Sequence, residues 1–311
     1  MPEHDRRLKE LLSKVKEHVK SAGKPKKILL QLPTGLRGRS TEISEAIGKE
    51  LGCEVLLAGN NCYGACDLPV EEARQSGADI IVHVGHRPFY RKIETPAPVV
   101  YYDWPMDVRL DEKKLLDELL KMKEKRIGLI SSVQFLHILP AIKSFLESQG
   151  KQAEIGGYVL GCWTNAADKL KGKVDALLFV GSGRFHPYGF ECTYCLDLEK
   201  HELVDIRGEL AKFEKLRWGR IMKAKDARTF GILVTSKPGQ HELIGRAEAL
   251  KARLEAGGKK ALILIMDEIT ESSLSNFDCD AFINTACPRI EDDRWSKPMI
   301  NASDADKILE E

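Results

Sequence analysis

This chain has almost no net charge: 48 lysines and arginines face 47 aspartates and glutamates, a formal charge of +1 over 311 residues. It therefore has no long-range field to gather nucleic acid, and no direct nucleic-acid partner is expected. Long apolar runs are also missing, so no membrane-spanning segment is expected. The opening stretch MPEHDRRLKELLSKVKEHVK carries charges throughout, with Leu8, Leu11, Leu12, Val15 and Val19 at helical spacing. That pattern is an amphipathic helix and not a signal peptide. A cytoplasmic location is the expectation, and thiols there stay reduced. The 8 cysteines then point to ligands, catalysts or core positions and not to disulfides.

The chain does contain a pattern that recurs three times. KKILLQLPTGL, KRIGLISSVQF and RTFGILVTSKP each begin with a short apolar run, and each leads into a helical stretch: STEISEAIGKEL, LPAIKSFLESQG and HELIGRAEALKARLEAGG. The last two end in glycine, a common helix stop. Each copy then reaches an aspartate followed by apolar residues: Asp79 in GADIIVHVGH, Asp175 in KVDALLFVGSG and Asp280 in DCDAFINTACP. Continuous apolar strands alternating with helices predict parallel sheets buried on both faces. The expected fold is α/β, with three similar small domains over 1–106, 107–222 and 223–311 that can be arranged with pseudo-threefold symmetry. Loops beyond the carboxyl ends of such strands are where ligands bind.

Cys66 and Cys162 each stand thirteen positions before their aligned aspartate, which makes them equivalent in the first two copies. The third copy has no cysteine there but carries Cys287 immediately after its strand. One thiolate per copy suits a metal centre with an open position: zinc with three protein ligands, or an iron–sulfur cubane with one iron free. Spacing alone does not choose between the two. Cys62 and Cys66 form a C-x-x-x-C pair, the first half of the ordinary radical S-adenosylmethionine signature, but Pro69 stands where its third cysteine belongs. Cys192 and Cys195 form a C-x-x-C without a partner pair, and Cys53 and Cys279 flank apolar runs as small core residues.

YGACDLP, GADIIVHVGH, VGSGRFHPYG and TACPRIEDD, in this order, resemble the archaeal diphthamide biosynthesis family of 2-(3-amino-3-carboxypropyl)histidine synthases. The likeness runs from LPTGL to the tail KPMINASDADKIL. It implies an atypical radical S-adenosylmethionine enzyme, homodimeric in archaea, with three α/β domains around a [4Fe–4S] cluster held by residues matching Cys66, Cys162 and Cys287. The implied reaction moves a 3-amino-3-carboxypropyl group from S-adenosylmethionine to C2 of a histidine imidazole in translation elongation factor 2. It releases methylthioadenosine and requires an electron donor.

Other residues are assigned by position. Gly35, Gly181, Ser182 and Gly183 lie in loops where the backbone approaches a cofactor, and Arg289 is placed to pair with the methionyl carboxylate. His86 and His186 sit at strand ends without a second histidine at metal-ligand spacing, and so are assigned hydrogen bonds to cofactor or protein substrate. Gln134 and His137 occupy another strand-end loop. The run Glu291 to Asp293 reads as a solvated acidic face. Two alternatives stay open: a Lewis-acid iron–sulfur enzyme like quinolinate synthase, and a noncatalytic zinc-stabilised scaffold.

Overall fold

The computed structural model describes residues 3–108, 112–183 and 185–309. Chain contacts divide these into two compact units: the residues up to 108 together with 133–137 and 237–239, and the remainder.

In the first unit, helix α1 (Glu3–Ala22) precedes β1 (Lys27–Gln31), α2 (Ser40–Leu51), β2 (Glu54–Leu57), α3 (Val70–Ser76), β3 (Ile80–Val84) and β4 (Val99–Tyr102). The strands form one sheet in the order β2-β1-β3-β4, parallel throughout. Alternation decides which face each side chain covers. Ile28 and Leu30 of β1 pack with Leu11 and Val15 of α1 and Ile43 and Ile47 of α2, while Leu29 and Ile81 face Ala73 of α3. Burial on both faces explains why β1 and β3 read as continuous apolar runs. Helix α2 stops at Gly52 and α3 at Gly77, both in the left-handed region that a helix stop favours.

The second unit contains two more sheets. Helix α4 (Glu112–Leu119) leads to β5 (Arg126–Ser131), α5 (Leu139–Ser148), β6 (Gln152–Tyr158), α6 (Asn165–Asp168), β7 (Ala176–Gly181), β8 (Tyr194–Asp197) and β9 (Glu202–Asp205). After the long helix α7 (Arg207–Lys225) come β10 (Thr229–Thr235), α8 (Ile244–Ala256), β11 (Lys260–Met266), α9 (Glu271–Leu274), β12 (Ala281–Asn284), β13 (Met299–Asn301) and α10 (Asp306–Leu309). The sheet orders are β6-β5-β7-β8-β9 and β11-β10-β12-β13. The order second, first, third, fourth strand therefore occurs three times, as the repeated sequence pattern predicts.

One strand departs from the parallel expectation. β9 runs antiparallel to β8, joined through the short turn that contains His201 at a positive φ of 53°. So short a link cannot make the crossover that parallel pairing demands.

The three aligned aspartates share one task. Asp79 accepts the backbone N–H groups of Lys26 and Lys27 at 2.7 and 2.9 Å. Asp175 accepts that of Arg126 at 2.9 Å and Asp280 those of Arg228 and Thr229 at 3.0 and 2.9 Å. Each thus ties the start of its copy's third strand to the start of the first. These hydrogen bonds hold the Asp79 and Asp280 carboxyls below the usual carboxylate range, and for Asp175 the Arg126 side chain adds the largest share.

Candidate cofactor site

Cys66 lies between β2 and α3, in a loop fixed from two sides within the first unit. The Gly239 N–H donates to the Cys66 carbonyl at 2.9 Å, and a Cβ on Gly239 would meet the Cys66 Cα at 2.6 Å, so only glycine fits. Beside it, Lys237 Nζ lies 3.0 Å from both carboxylate oxygens of Asp67, with the two side chains only 11% and 10% exposed. Neighbouring Cys62 is buried, and its thiol is pushed up to about 12, chiefly by burial and then by the Asp67 carboxylate.

His86 is not isolated, as the sequence reading had it. His83 Nε2 lies 3.1 Å from His86 Nδ1, and His83 Nδ1 lies 2.6 Å from Gln31 Oε1. Burial depresses His83 to about 3 and His86 to about 4, so both rings are neutral at physiological pH. The H-x-x-H spacing was visible, but a fully buried strand residue such as His83 reads locally as core. Gln134 donates from Nε2 to the Gly85 carbonyl at 2.6 Å and braces the turn just before His86, whereas His137 is exposed.

Within the second unit, Cys162 is exposed and Cys287 half-buried. The Cys287 thiol is pushed up to about 11 by burial, is lowered by the Arg289 N–H and is raised by Cys162, whose charge it feels. Asn284 positions this segment: its Nδ2 donates to the Cys287 carbonyl at 2.8 Å and its Oδ1 accepts the Ala286 N–H at 2.9 Å. A cavity of about 450 Å³ opens here, lined by Cys162, Tyr188, Phe213, Arg217, Pro288 and Arg289 among others.

Arg289 is no surface arginine; its side chain is 8% exposed. The guanidinium lies 5.6 Å from the ring centroids of both Phe185 and Phe213 and pairs with Asp292, yet its Nε is buried without a hydrogen-bond partner among the described residues. Burial raises the Asp292 carboxyl to about 6 against the pull of Arg289. The acidic run is a solvated face only at Asp293: Glu291 is 2% exposed and pairs with Arg220 at 2.7 Å.

The glycines that shape this cavity are not those the sequence singled out. A Cβ on Gly189 would lie 2.5 Å from the Gly161 carbonyl oxygen, and one on Gly161 would meet Arg289 and Phe185 at 3.0 Å. Gly35, by contrast, is exposed with nothing within 4 Å of a Cβ. Gly181 closes β7, half-buried Ser182 follows, and Gly183 turns at φ 70° in open space. His186 caps the short 3-10 turn Pro187–Gly189 and stacks edge-on against Phe185. Cys192 and Cys195 are buried in a core with Phe179 and Ile206, which explains their spacing structurally. Cys279 is buried as expected, whereas Cys53 is only half-buried.

Residues 32–311 match the family described as "Putative diphthamide synthesis protein". The chain is 32% identical to the 2-(3-amino-3-carboxypropyl)histidine synthase of Pyrococcus horikoshii, over 96% of this chain and 89% of that one. It is 29% identical to subunit 1 of the corresponding synthase of Schizosaccharomyces pombe, over 87% of this chain and 66% of that one. Crystal structures of Dph2 from Pyrococcus horikoshii, one with a 4Fe-4S cluster, superpose with a TM-score of 0.84 at 30% identity, covering 96% of this chain and 90% of theirs. The chain belongs to the diphthamide synthesis protein family.

Proposed function

We propose that this chain is a 2-(3-amino-3-carboxypropyl)histidine synthase that performs the first step of diphthamide formation. The observation that carries the reading is the likeness over 96% of the chain to a protein of that name, at matching fold. The donor chemistry fits a [4Fe–4S] cluster: three thiols, Cys66, Cys162 and Cys287, fall one to each copy of the repeat, and Cys287 feels the charge of Cys162. These three cysteines are the ligands in this proposal, and the three-domain division at 106 and 222 accompanies it. When bound, the cluster supplies the electron that breaks the methionyl Cγ–S bond of S-adenosylmethionine.

The chain's own residues bind and orient. In this proposal the Nε–H of Arg289, buried without a partner among the described residues, donates to the methionyl carboxylate, a charge-assisted bond strengthened by burial. Phe185 and Phe213 hold the guanidinium between them, and Gly161 and Gly189 allow the two loops to meet behind it. Asn284 holds the carbonyl of Cys287, the residue just before Pro288 and Arg289 of the cavity lining. Such positioning selects which of the three carbon–sulfur bonds is aligned for cleavage.

The group is transferred to C2 of a histidine imidazole in translation elongation factor 2, releasing methylthioadenosine; a homodimer and a separate electron donor complete the proposal. Among the described residues no helix is long and apolar enough to cross a membrane. The test is electron paramagnetic resonance of anaerobic, dithionite-reduced protein with and without S-adenosylmethionine. A cubane signal that shifts with the cofactor supports the reading. A signal indifferent to it points to Lewis-acid chemistry, and zinc alone in metal-replete protein leaves a scaffold.

A further inference from the structure

We propose that Cys62, His83 and His86 form a second metal site, separate from the three cluster cysteines, that takes a single divalent ion of zinc's class. The ligand atoms of these residues all lie within 4.8 Å of one another. A zinc ion bound at its ordinary distances brings two nitrogens and a sulfur to roughly 3.3–3.6 Å apart. The two ring nitrogens, at 3.1 Å, stand slightly below that range and need to part only a little, while the thiol has to move inward.

The surroundings prepare the histidines for this task. Gln31 is 2% exposed, and its Nε2 donates to the Asp67 carbonyl at 2.7 Å. That bond fixes the amide so that Oε1 faces His83 Nδ1 at 2.6 Å, and Nδ1 must therefore carry the proton. His83 Nε2 is left with its lone pair directed at His86. A ligating imidazole is usually oriented through such a bond from its other nitrogen to a carbonyl oxygen. Burial keeps both rings neutral, the form that binds metal. A histidine-to-histidine hydrogen bond alone would explain the short separation of the rings, but it gives no reason for the buried thiol beside them.

One thiolate and two imidazoles make a borderline-soft set, and three protein ligands leave a fourth position for water or another donor. On binding, the Cys62 thiol proton is released to solvent and the metal–sulfur bond forms, while the proton that His86 Nδ1 donates to His83 Nε2 in the metal-free protein moves through solvent to His86 Nε2, freeing Nδ1 to ligate. The ion would join the loop that carries Cys66 to the end of β3, so its role is to hold that loop in place. No electron transfer is involved.

The test uses cluster-loaded protein dialysed against Zn2+ and then freed of loose ion, with zinc and iron counted and the zinc K-edge absorption recorded. About one zinc per chain with one sulfur and two imidazole neighbours is the expected result. Cys62→Ser and His86→Ala should each lower retained zinc at least tenfold while keeping most of the iron that Cys66→Ala loses. Zinc below about a tenth of an equivalent in the wild type, a shell of three sulfurs, or full retention in the variants would overturn the site. Thermal unfolding of zinc-free proteins checks the fold; should Cys62→Ser fail to fold, His86→Ala, at a half-buried position, carries the same comparison.

Discussion

Gly239 lies against the backbone of Cys66: a methyl group on Gly239 would sit 2.6 Å from the Cys66 Cα and 2.7 Å from its Cβ and carbonyl oxygen. Backbone cannot yield as the end of a flexible side chain can. Gly239→Ala should therefore displace the Cys66 loop, costing about 1–3 kcal/mol. The iron content of reconstituted protein should drop with it, and unchanged iron and melting temperature would show that the loop is not held here.

The ion pair two residues earlier is a second fastening on the same loop. Removing one partner of a buried pair leaves an uncompensated charge, so Lys237→Met should destabilise the protein by about 3 kcal/mol. Adding Asp67→Leu should recover much of that loss, because the stranded carboxylate disappears. Urea unfolding of the two single variants and the double one measures the coupling.

Single replacements of Cys66, Cys162 or Cys287 by alanine should each weaken the cluster and abolish transfer of the aminocarboxypropyl group. Cys62→Ala should be milder in both respects. Methylthioadenosine release and the reduced-cubane signal report the two effects separately. Loss of the signal in Cys62→Ala with retention in Cys66→Ala would reverse the assignment.

Arg289→Met removes the buried N–H donor assigned to the methionyl carboxylate. A hydrogen bond to a charged group contributes about 1.5–3 kcal/mol, so the dissociation constant for S-adenosylmethionine should rise about 10- to 100-fold. Calorimetry of the cluster-loaded protein checks this, and Arg289→Lys should restore only part of the affinity because its ammonium lacks the planar fork.

Asp79, Asp175 and Asp280 give the fold a dependence on acid. Their folded-state values lie below the ordinary one, so the stabilisation they supply is complete above about pH 4 and is lost as pH falls through the depressed values. Melting temperature should fall more steeply between pH 5 and pH 2.5 (roughly the titration range) in the wild type than in a variant with all three as asparagine. Parallel curves would remove these carboxylates from the account.

Local pattern carried most of the architecture. Three apolar openings, three helices and three aspartates sufficed to anticipate three sheets because parallel strands buried on both faces leave a continuous apolar run. The antiparallel β9 escaped because EKHELVD looks like a polar loop until β8 pairs with it. Among the candidate site residues, Cys66 and Cys162 were singled out by their offsets from the aspartates and Cys287 by its place after a strand, but their supports were not. Lys237 is 170 residues from Asp67, and Asn284, Gly161 and Gly189 act through backbone contacts that no side-chain period reveals. Arg289 was singled out by its place two residues after Cys287, while the burial that distinguishes it depends on Phe185 and Phe213, remote in sequence.

The aspartate ties sit at the amino ends of the strands, whereas Cys66, Cys162 and Cys287 follow carboxyl ends. Each copy thus keeps its fastening on the edge opposite its cysteine. A duplicated gene segment with that separation can exchange a ligand on one edge without loosening the other. In the third copy Asp267 stands where the first two have cysteine and Cys287 follows the third strand instead, with the Asp280 tie intact.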